Sequence, residues 1–199
     1  MNRDELLLYY ARGRRDFRGI ILPNADFCEA NLAGAMLEGA HLTGSRFCGA
    51  DLSGCCFSKA VLRQANFTAA RLTGGILRWA ALVGAVLASA NLHAASLRHS
   101  DLRKADLSSA VLVDADLYAA RMTHADLVDC DLTRANLAET DLRGASFYRA
   151  CLRGARISDA DVRIADFRET DITDVVWTNT DIAKVIWTET DLWDDSRWG

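Results

Sequence analysis

The sequence is poor in proline and in aromatic residues, and it has no long apolar run. It holds one proline in 199 residues, and aromatic residues make up 8% of it. No run reaches the roughly 18 apolar residues that a membrane span requires. The apolar run from Leu6 to Ala11 is too short for the core of a signal peptide and lacks a small-residue cleavage site. We therefore expect a cytoplasmic protein that does not contact a membrane.

Cysteine and histidine are present, but not at the spacings that bind metal. No CxxC pair occurs, and the four histidines have no ligand spacing, so we expect no metal site, no cofactor and no catalytic residues. In a reducing cytoplasm the cysteines should be free thiols. Cys28 and Cys48 are the pair that oxidation could bridge. The six cysteines are Cys28, Cys48, Cys55, Cys56, Cys130 and Cys151.

The net charge is also small. It is −4, which by itself demands neither a nucleic-acid nor a membrane partner. The sign varies along the chain, because residues 159–199 hold eleven acidic and four basic side chains, whereas residues 1–158 hold sixteen and nineteen. The sequence therefore argues against direct binding of nucleic acid.

A strict repeat of five residues runs through most of the chain. From Phe17 to Leu192, every fifth residue is apolar, and most of these thirty-six residues are Leu or Phe. A small residue, usually Ala, stands two positions before each of them. Half of the repeats place Asp or Asn between the two, as at Asp51 and Asn66. The unit is A-(D/N)-L-x-x, and we call its large apolar residue the centre.

A period of five excludes the ordinary regular elements. On an α-helix, successive centres would fall about 140° apart and cover every side. On a flat strand, an odd period would send alternate centres to opposite faces. A backbone that turns a corner once per repeat would instead direct every centre to a common axis. Four corners make a square coil of twenty residues, and coils would stack at roughly 4.8 Å.

The aromatic centres support this phasing. One column of residues separated by multiples of twenty contains Phe27, Phe47, Phe67, Phe147, Phe167 and Trp187, and the opposite column contains Phe17, Phe57 and Trp177. These positions demonstrate an alternation of ten residues. The step from ten to twenty depends on the square-coil geometry.

The unbroken A-(D/N)-L-x-x unit resembles the pentapeptide-repeat family. The resemblance implies an all-β fold, a right-handed quadrilateral parallel β-helix of about nine 20-residue coils, in which the centre and the small residue point inward. We expect a short N-terminal helical cap over residues 1–15, the β-helix over 16–194 and a C-terminal tail over 195–199. Within the cap, residues 3–12 should form the helix, with Asn2 as N-cap and Gly13 at its end.

Two groups of outward residues are candidate interaction sites. Arg63, Arg103, Arg143 and Arg163 share one column and form a basic stripe, although Asp141 and Asp161 lie beside it. A mixed-charge solvated face and a site for an anionic partner are both open interpretations. The Asp and Asn residues before the centres should accept hydrogen bonds from the backbone of the turns.

The second group is apolar and lies at the C-terminal end. Val176 and Ile186 occupy the outward position that Asp or Asn fills elsewhere, and Trp193 and Trp198 follow. Clustered exposed apolar side chains usually mark an interface. Either the tail folds over the last coil as a cap, or two rods pair end to end as a homodimer.

We interpret the protein as a non-enzymatic pentapeptide-repeat rod, a scaffold for a protein partner that the sequence does not identify. The alternative, which the family resemblance implies, is a DNA-mimicking protein that protects a topoisomerase such as gyrase. A regular surface suits docking because it is already ordered and loses little entropy on binding.

Overall fold

The computed structural model describes residues 1–187. Its one helix, α1, spans Arg3–Ala11, and Asn2 and Glu5 form a capping box at its start. Gly13, with φ +97°, follows the C-cap residue Arg12. The predicted N-terminal helix is confirmed, and Leu6 buries its side chain in the core of the rod.

From Asp16 to Trp187 the described chain is a stack of coils whose period is twenty residues. Parallel β-bridges join the residue before a centre to the residue twenty positions later, from Asp16↔Met36 to Asp166↔Ile186, and within this range only Asp161 and Asp181 do not form the bridge. The contacts are isolated bridges of single residues and not extended strands, because every repeat ends in a turn. The predicted period of twenty is confirmed.

One repeat illustrates how the backbone donors are satisfied. Ala50 N–H closes the preceding turn on Phe47 O at 3.1 Å, and Asp51 N–H bonds to the coil before it. Leu52 N–H and Gly54 N–H bond to the coil after it, at 2.8 and 2.9 Å. The remaining donor, Ser53 N–H, bonds to the Asp51 carboxylate at 3.1 Å. A buried ladder requires such complete pairing, so Asp or Asn before the centre satisfies a donor that lacks a backbone acceptor.

Each turn from Gly19 to Asn179 places its second residue after the centre in the left-handed region. Gly54 has φ +65°, but so do many side-chain-bearing residues, such as Ser109 at +58°. A positive φ at the third residue of a four-residue turn defines type II geometry. Trp79 at +60° and Ile164 at +54° are unexpected there, since bulky and β-branched side chains rarely adopt this conformation.

The centres and the small residues fill the interior. Leu107, Phe47 and Ala50, for example, are fully buried. Phe27, Phe47 and Phe67 stack with ring centroids 5.2 and 4.9 Å apart, which is close to the coil spacing expected for neighbouring β-strands. The predicted aromatic column therefore exists, and these stacked rings form part of the core.

Hydroxyl and thiol groups in the small position bond to the coil before them. Ser45 Oγ donates to Leu22 O at 2.8 Å, and Cys55 Sγ donates to Leu32 O at 2.9 Å. Two groups in this position differ. Thr140 Oγ1 donates to Leu137 O of its own coil at 2.6 Å, and Ser100 Oγ is buried and has no hydrogen-bond partner within residues 1–187.

Candidate interaction surfaces

The coil has four faces, which we number by their first centres: face 1 begins with Phe17, face 2 with Leu22, face 3 with Phe27 and face 4 with Leu32. Each repeat exposes three side chains, namely the residue before the centre and the two after it. Candidate sites on the sides of the rod are therefore sets of outward residues separated by about twenty positions.

The predicted basic stripe lies on face 2, and most of it is neutralised. Arg103 forms two hydrogen bonds with Asp101, at 2.7 and 2.6 Å. These bonds lower the pKa of Asp101. Arg143 binds Asp141 in the same way, and its Nε also lies 3.5 Å from Asp161. Pairing of this kind satisfies both charges locally, so the stripe is a ladder of alternating charges over much of its length.

Three cations on face 2 have no ion pair within the part of the chain that the structure describes. They are Arg63, Lys104 and Lys184, all exposed. Lys184 also lines a shallow surface depression of about 300 Å³ with Arg143, Arg163 and Ile164. A second depression, of about 330 Å³, lies on face 3 beside Tyr148 and Arg168. Both depressions are open to solvent on the outside of the rod, where they can contact a partner but not enclose a substrate.

At the C-terminal end, the structure describes half of the predicted apolar group. Val176 and Ile186 are 50% and 46% exposed, whereas Trp193 and Trp198 lie outside the described residues. The larger inward side chains there pack against the core and remain partly exposed; they are Val175, Trp177, Ile182, Val185 and Trp187. Whether this end is capped or paired remains a prediction.

All six cysteines are free thiols. Cys55 and Cys130 are buried, and burial raises the pKa of each thiol to about 12. Desolvation is also the main reason why the pKa of Cys28 is raised to about 11. A bridge between Cys28 and Cys48 under oxidation stays a prediction.

Sequence reasoning missed one cluster, which lies on face 1 near the middle of the rod. The indole of Trp79 stacks on the His99 ring, with centroids 4.1 Å apart and planes 12° apart. Tyr118 meets His99 edge-on at 5.6 Å, and the Arg98 guanidinium lies 4.2 Å from the Tyr118 centroid. The signal was available, because Trp79 and His99 are separated by twenty residues and Tyr118 follows nineteen later.

Two kinds of special site are absent from residues 1–187. No group of His, Cys, Asp or Glu side chains is arranged to hold a metal ion. No helix in that range is long and apolar enough to cross a membrane.

The comparison with protein families settles the class of the chain. The profile of the family described as "Pentapeptide repeats" matches residues 16–49, 45–82, 90–127 and 125–163. The chain belongs to the pentapeptide-repeat family. The fold of this pentapeptide-repeat protein is a right-handed β-helix, as the resemblance implied. No curated protein sequence matches the chain.

Solved structures of other pentapeptide-repeat proteins resemble this one. HetL, which is involved in heterocyst differentiation regulation in the cyanobacterium Nostoc sp. strain PCC 7120, is 29% identical, with coverage of 95% of this chain and 98% of HetL and a TM-score of 0.50. Trypsin-treated QnrB1, a plasmid-mediated fluoroquinolone resistance protein, is 22% identical, with coverage of 82% and 83% and a TM-score of 0.73. The full-length form of QnrB1 is 20% identical, with coverage of 89% and 95% and a TM-score of 0.62. The likeness to QnrB1 is one of fold.

Proposed function

We propose that this protein is a non-enzymatic rod that binds a protein partner through its outer faces. The observation that carries the proposal is that the side chains of those faces are already held in fixed positions. In the middle of the rod the inward positions are filled by buried apolar side chains, and many outward side chains are held by bonds to their neighbours, as Arg103 is by Asp101. A surface ordered in this way loses little conformational entropy when a partner binds.

The C-terminal end is the proposed site of self-association. Val176 and Ile186 are exposed there, and in an end-to-end homodimer both would be covered. Light scattering tests this, because a twofold pair would have about 44 kDa, twice the 21.8 kDa of one chain. Ile186→Asp together with Trp193→Asp should halve that mass. Val111→Asp is the matched control, since Val111 is also exposed but lies in the middle of the rod.

A second candidate, protection of gyrase by DNA mimicry, is favoured by the charge of two faces. Within residues 1–187, faces 3 and 4 carry twelve acidic and six basic side chains. Against the mimicry, six of the twelve acids form ion pairs, among them Asp129 with Arg149 and Asp171 with Arg153. A DNA mimic must present its negative charge unpaired to the partner. The interaction rod is therefore the function that we favour.

Two experiments separate the candidates. An affinity pull-down from the native host, with the full chain as bait, should retain a protein that then binds the purified rod with a stoichiometry measurable by calorimetry. A gyrase supercoiling assay with and without a quinolone should be unaffected by this protein. Restored supercoiling in the presence of the drug would contradict the first candidate and support the second.

A further inference from the structure

The aromatic cluster of face 1 is the most distinctive surface in the middle of the rod. Trp79 is 58% exposed and Ile76, in the same repeat, is 38% exposed. The other large apolar side chains that are well exposed, within residues 1–187, lie mostly near the two ends of the rod. Isolated exposed apolar residues are normal, but an exposed Trp beside an exposed Ile requires an explanation.

The Trp79 ring is held in place. One of its faces is covered by His99 at 4.1 Å, and His99 is in turn contacted by Tyr118. The Tyr118 ring is fixed by Arg98 above it, and a hydrogen bond with Glu139 raises the pKa of its hydroxyl. A side chain that is already ordered loses less entropy when a partner covers it, so Trp79 has the properties of a binding anchor.

The charge around this cluster indicates the chemistry of a partner. Arg78 is exposed and bonds to Ser96 Oγ at 2.9 Å, but it has no acidic partner within the described residues. Arg98 forms an ion pair with Asp116, with an N–O distance of 2.9 Å. An unpaired guanidinium beside an exposed indole favours a ligand that supplies both a carboxylate and an apolar side chain.

We propose that Ile76, Arg78 and Trp79, supported by Arg98, His99 and Tyr118, form a docking site for an acidic peptide segment of a partner protein. The segment lays an apolar or aromatic side chain against Trp79 and Ile76, and its carboxylate pairs with Arg78. This inference rests on the proposed function as an interaction rod and names the surface and the chemistry of the partner.

Single-stranded nucleic acid is the competing ligand for aromatic and basic side chains together. The geometry favours the peptide. His99 already covers one face of Trp79, and Arg98 lies over the Tyr118 ring. The cluster therefore does not present the succession of open rings on which successive bases stack.

The test uses the full chain and a phage-displayed library of random peptides of about twelve residues. Selection against the wild type should enrich peptides that combine Asp or Glu with Trp, Phe or Leu. One such synthetic peptide is then titrated against each variant by fluorescence anisotropy. Trp79→Gly should weaken binding by roughly thirty-fold or more, as loss of a hot-spot residue does. Its fold should persist, since Gly suits the φ of +60° at this position.

Matched variants separate the roles of the residues. Arg78→Glu should weaken binding of the peptide about as strongly as Trp79→Gly. Arg63→Glu is an equal charge reversal at an exposed cation on face 2, and it should change the affinity by roughly threefold or less. His99→Ala should have an intermediate effect, because it leaves the indole but removes its support. Raising the salt concentration should weaken binding to the wild type more than to Arg78→Glu.

Four results would overturn the inference. They are no enrichment of acidic peptides, peptide binding that is indifferent to Trp79→Gly, tight binding of a labelled oligothymidylate that Trp79→Gly abolishes, and a dimer in light scattering that Trp79→Gly dissociates. A partner recovered by pull-down that binds Trp79→Gly as well as the wild type would overturn this site alone and leave the proposed function standing.

Discussion

Two buried serines in equivalent positions should respond in opposite ways to the same substitution. Ser45 and Ser100 both occupy the small position that Ala fills in most repeats, and both are fully buried. Ser45 Oγ donates to Leu22 O at 2.8 Å and accepts from Ala25 N–H at 3.2 Å, so it links the two groups of a turn in the preceding coil. Ser100 Oγ has no such partner within residues 1–187.

The magnitudes follow from hydrogen bonding. Ser45→Ala removes two hydrogen bonds to the partly buried Ala25 N–H and Leu22 C=O. At about 0.5–1.5 kcal/mol each, the loss should cost about 1–3 kcal/mol. Ser100→Ala removes a buried hydroxyl that gains nothing from the fold, so the change should be neutral or should stabilise the protein by about 1 kcal/mol. Since Ala is the usual residue in this position, neither substitution creates a steric conflict.

The measurement is thermal unfolding by circular dichroism, with urea melts as a check. For a protein of this size about 1 kcal/mol shifts the melting temperature by roughly 2–4 °C. The two variants differ in stability by about 1–4 kcal/mol, so their melting temperatures should differ by roughly 2–16 °C, with that of Ser45→Ala the lower. Equal shifts for both variants would refute the assignment of an unsatisfied hydroxyl to Ser100. If Ser100→Ala were less stable than Ser45→Ala, the Ser100 hydroxyl would have to form the stronger hydrogen bonds of the two, contrary to the structure.

Three further predictions concern the core, the turns and the thiols. Leu107→Asp buries a charge at a fully buried centre and should prevent folding, whereas Ser109→Asp, at an exposed turn position, should leave the melt nearly unchanged; equal effects would contradict the inward and outward assignment. The bond from Thr173 is the main cause that lowers the pKa of Asp171 to about 2, so the stability that this carboxylate contributes is complete above the unfolded pKa near 4 and is lost as the pH falls toward 2. Urea melts at pH 5, 4 and 2.5 should show the loss, and Asp171→Asn should make it smaller, while other aspartates with a lowered pKa, such as Asp101, keep their share. Cys55 and Cys130, whose thiol pKa values are about 12, should react with a disulfide reagent only after denaturation, and fast reaction of all six in the native protein would contradict their burial.

Much of the fold could be predicted from the sequence because one physical constraint repeats along the chain. A centre such as Leu107 can reach the common axis only if the backbone turns once in five residues, and Asp51 or Asn66 before a centre satisfies a backbone donor that the ladder leaves free. Each of these rules concerns neighbouring residues. They can therefore be inferred from the pattern without knowledge of the contacts between coils.

The candidate surfaces were harder to predict because they depend on pairs from different coils. The neutralisation of Arg143 by Asp141 involves neighbours two residues apart, and the sequence suggested it. The contacts of Trp79 with His99 and of His99 with Tyr118 join three coils, and they become visible only when the side chains are placed on one face. The basic stripe itself contains no aromatic residue, and the aromatic residues instead accompany Arg78 and Arg98 on face 1.

The turn chemistry shows which outward residues carry information about function. A repeat is stabilised by an acceptor before the centre and needs a residue that tolerates positive φ after it. Gly meets the second need without strain, and Asn and Asp meet it more readily than other residues. Trp79 and Ile164 do not meet it, yet both occupy that position, and both are 58% exposed. Neither side chain is required by the core, so each breaks a local rule without contributing much to the burial that folds the rod. Such exceptions are expected where function opposes folding, and this is the physical reason to regard Trp79 as part of a docking site.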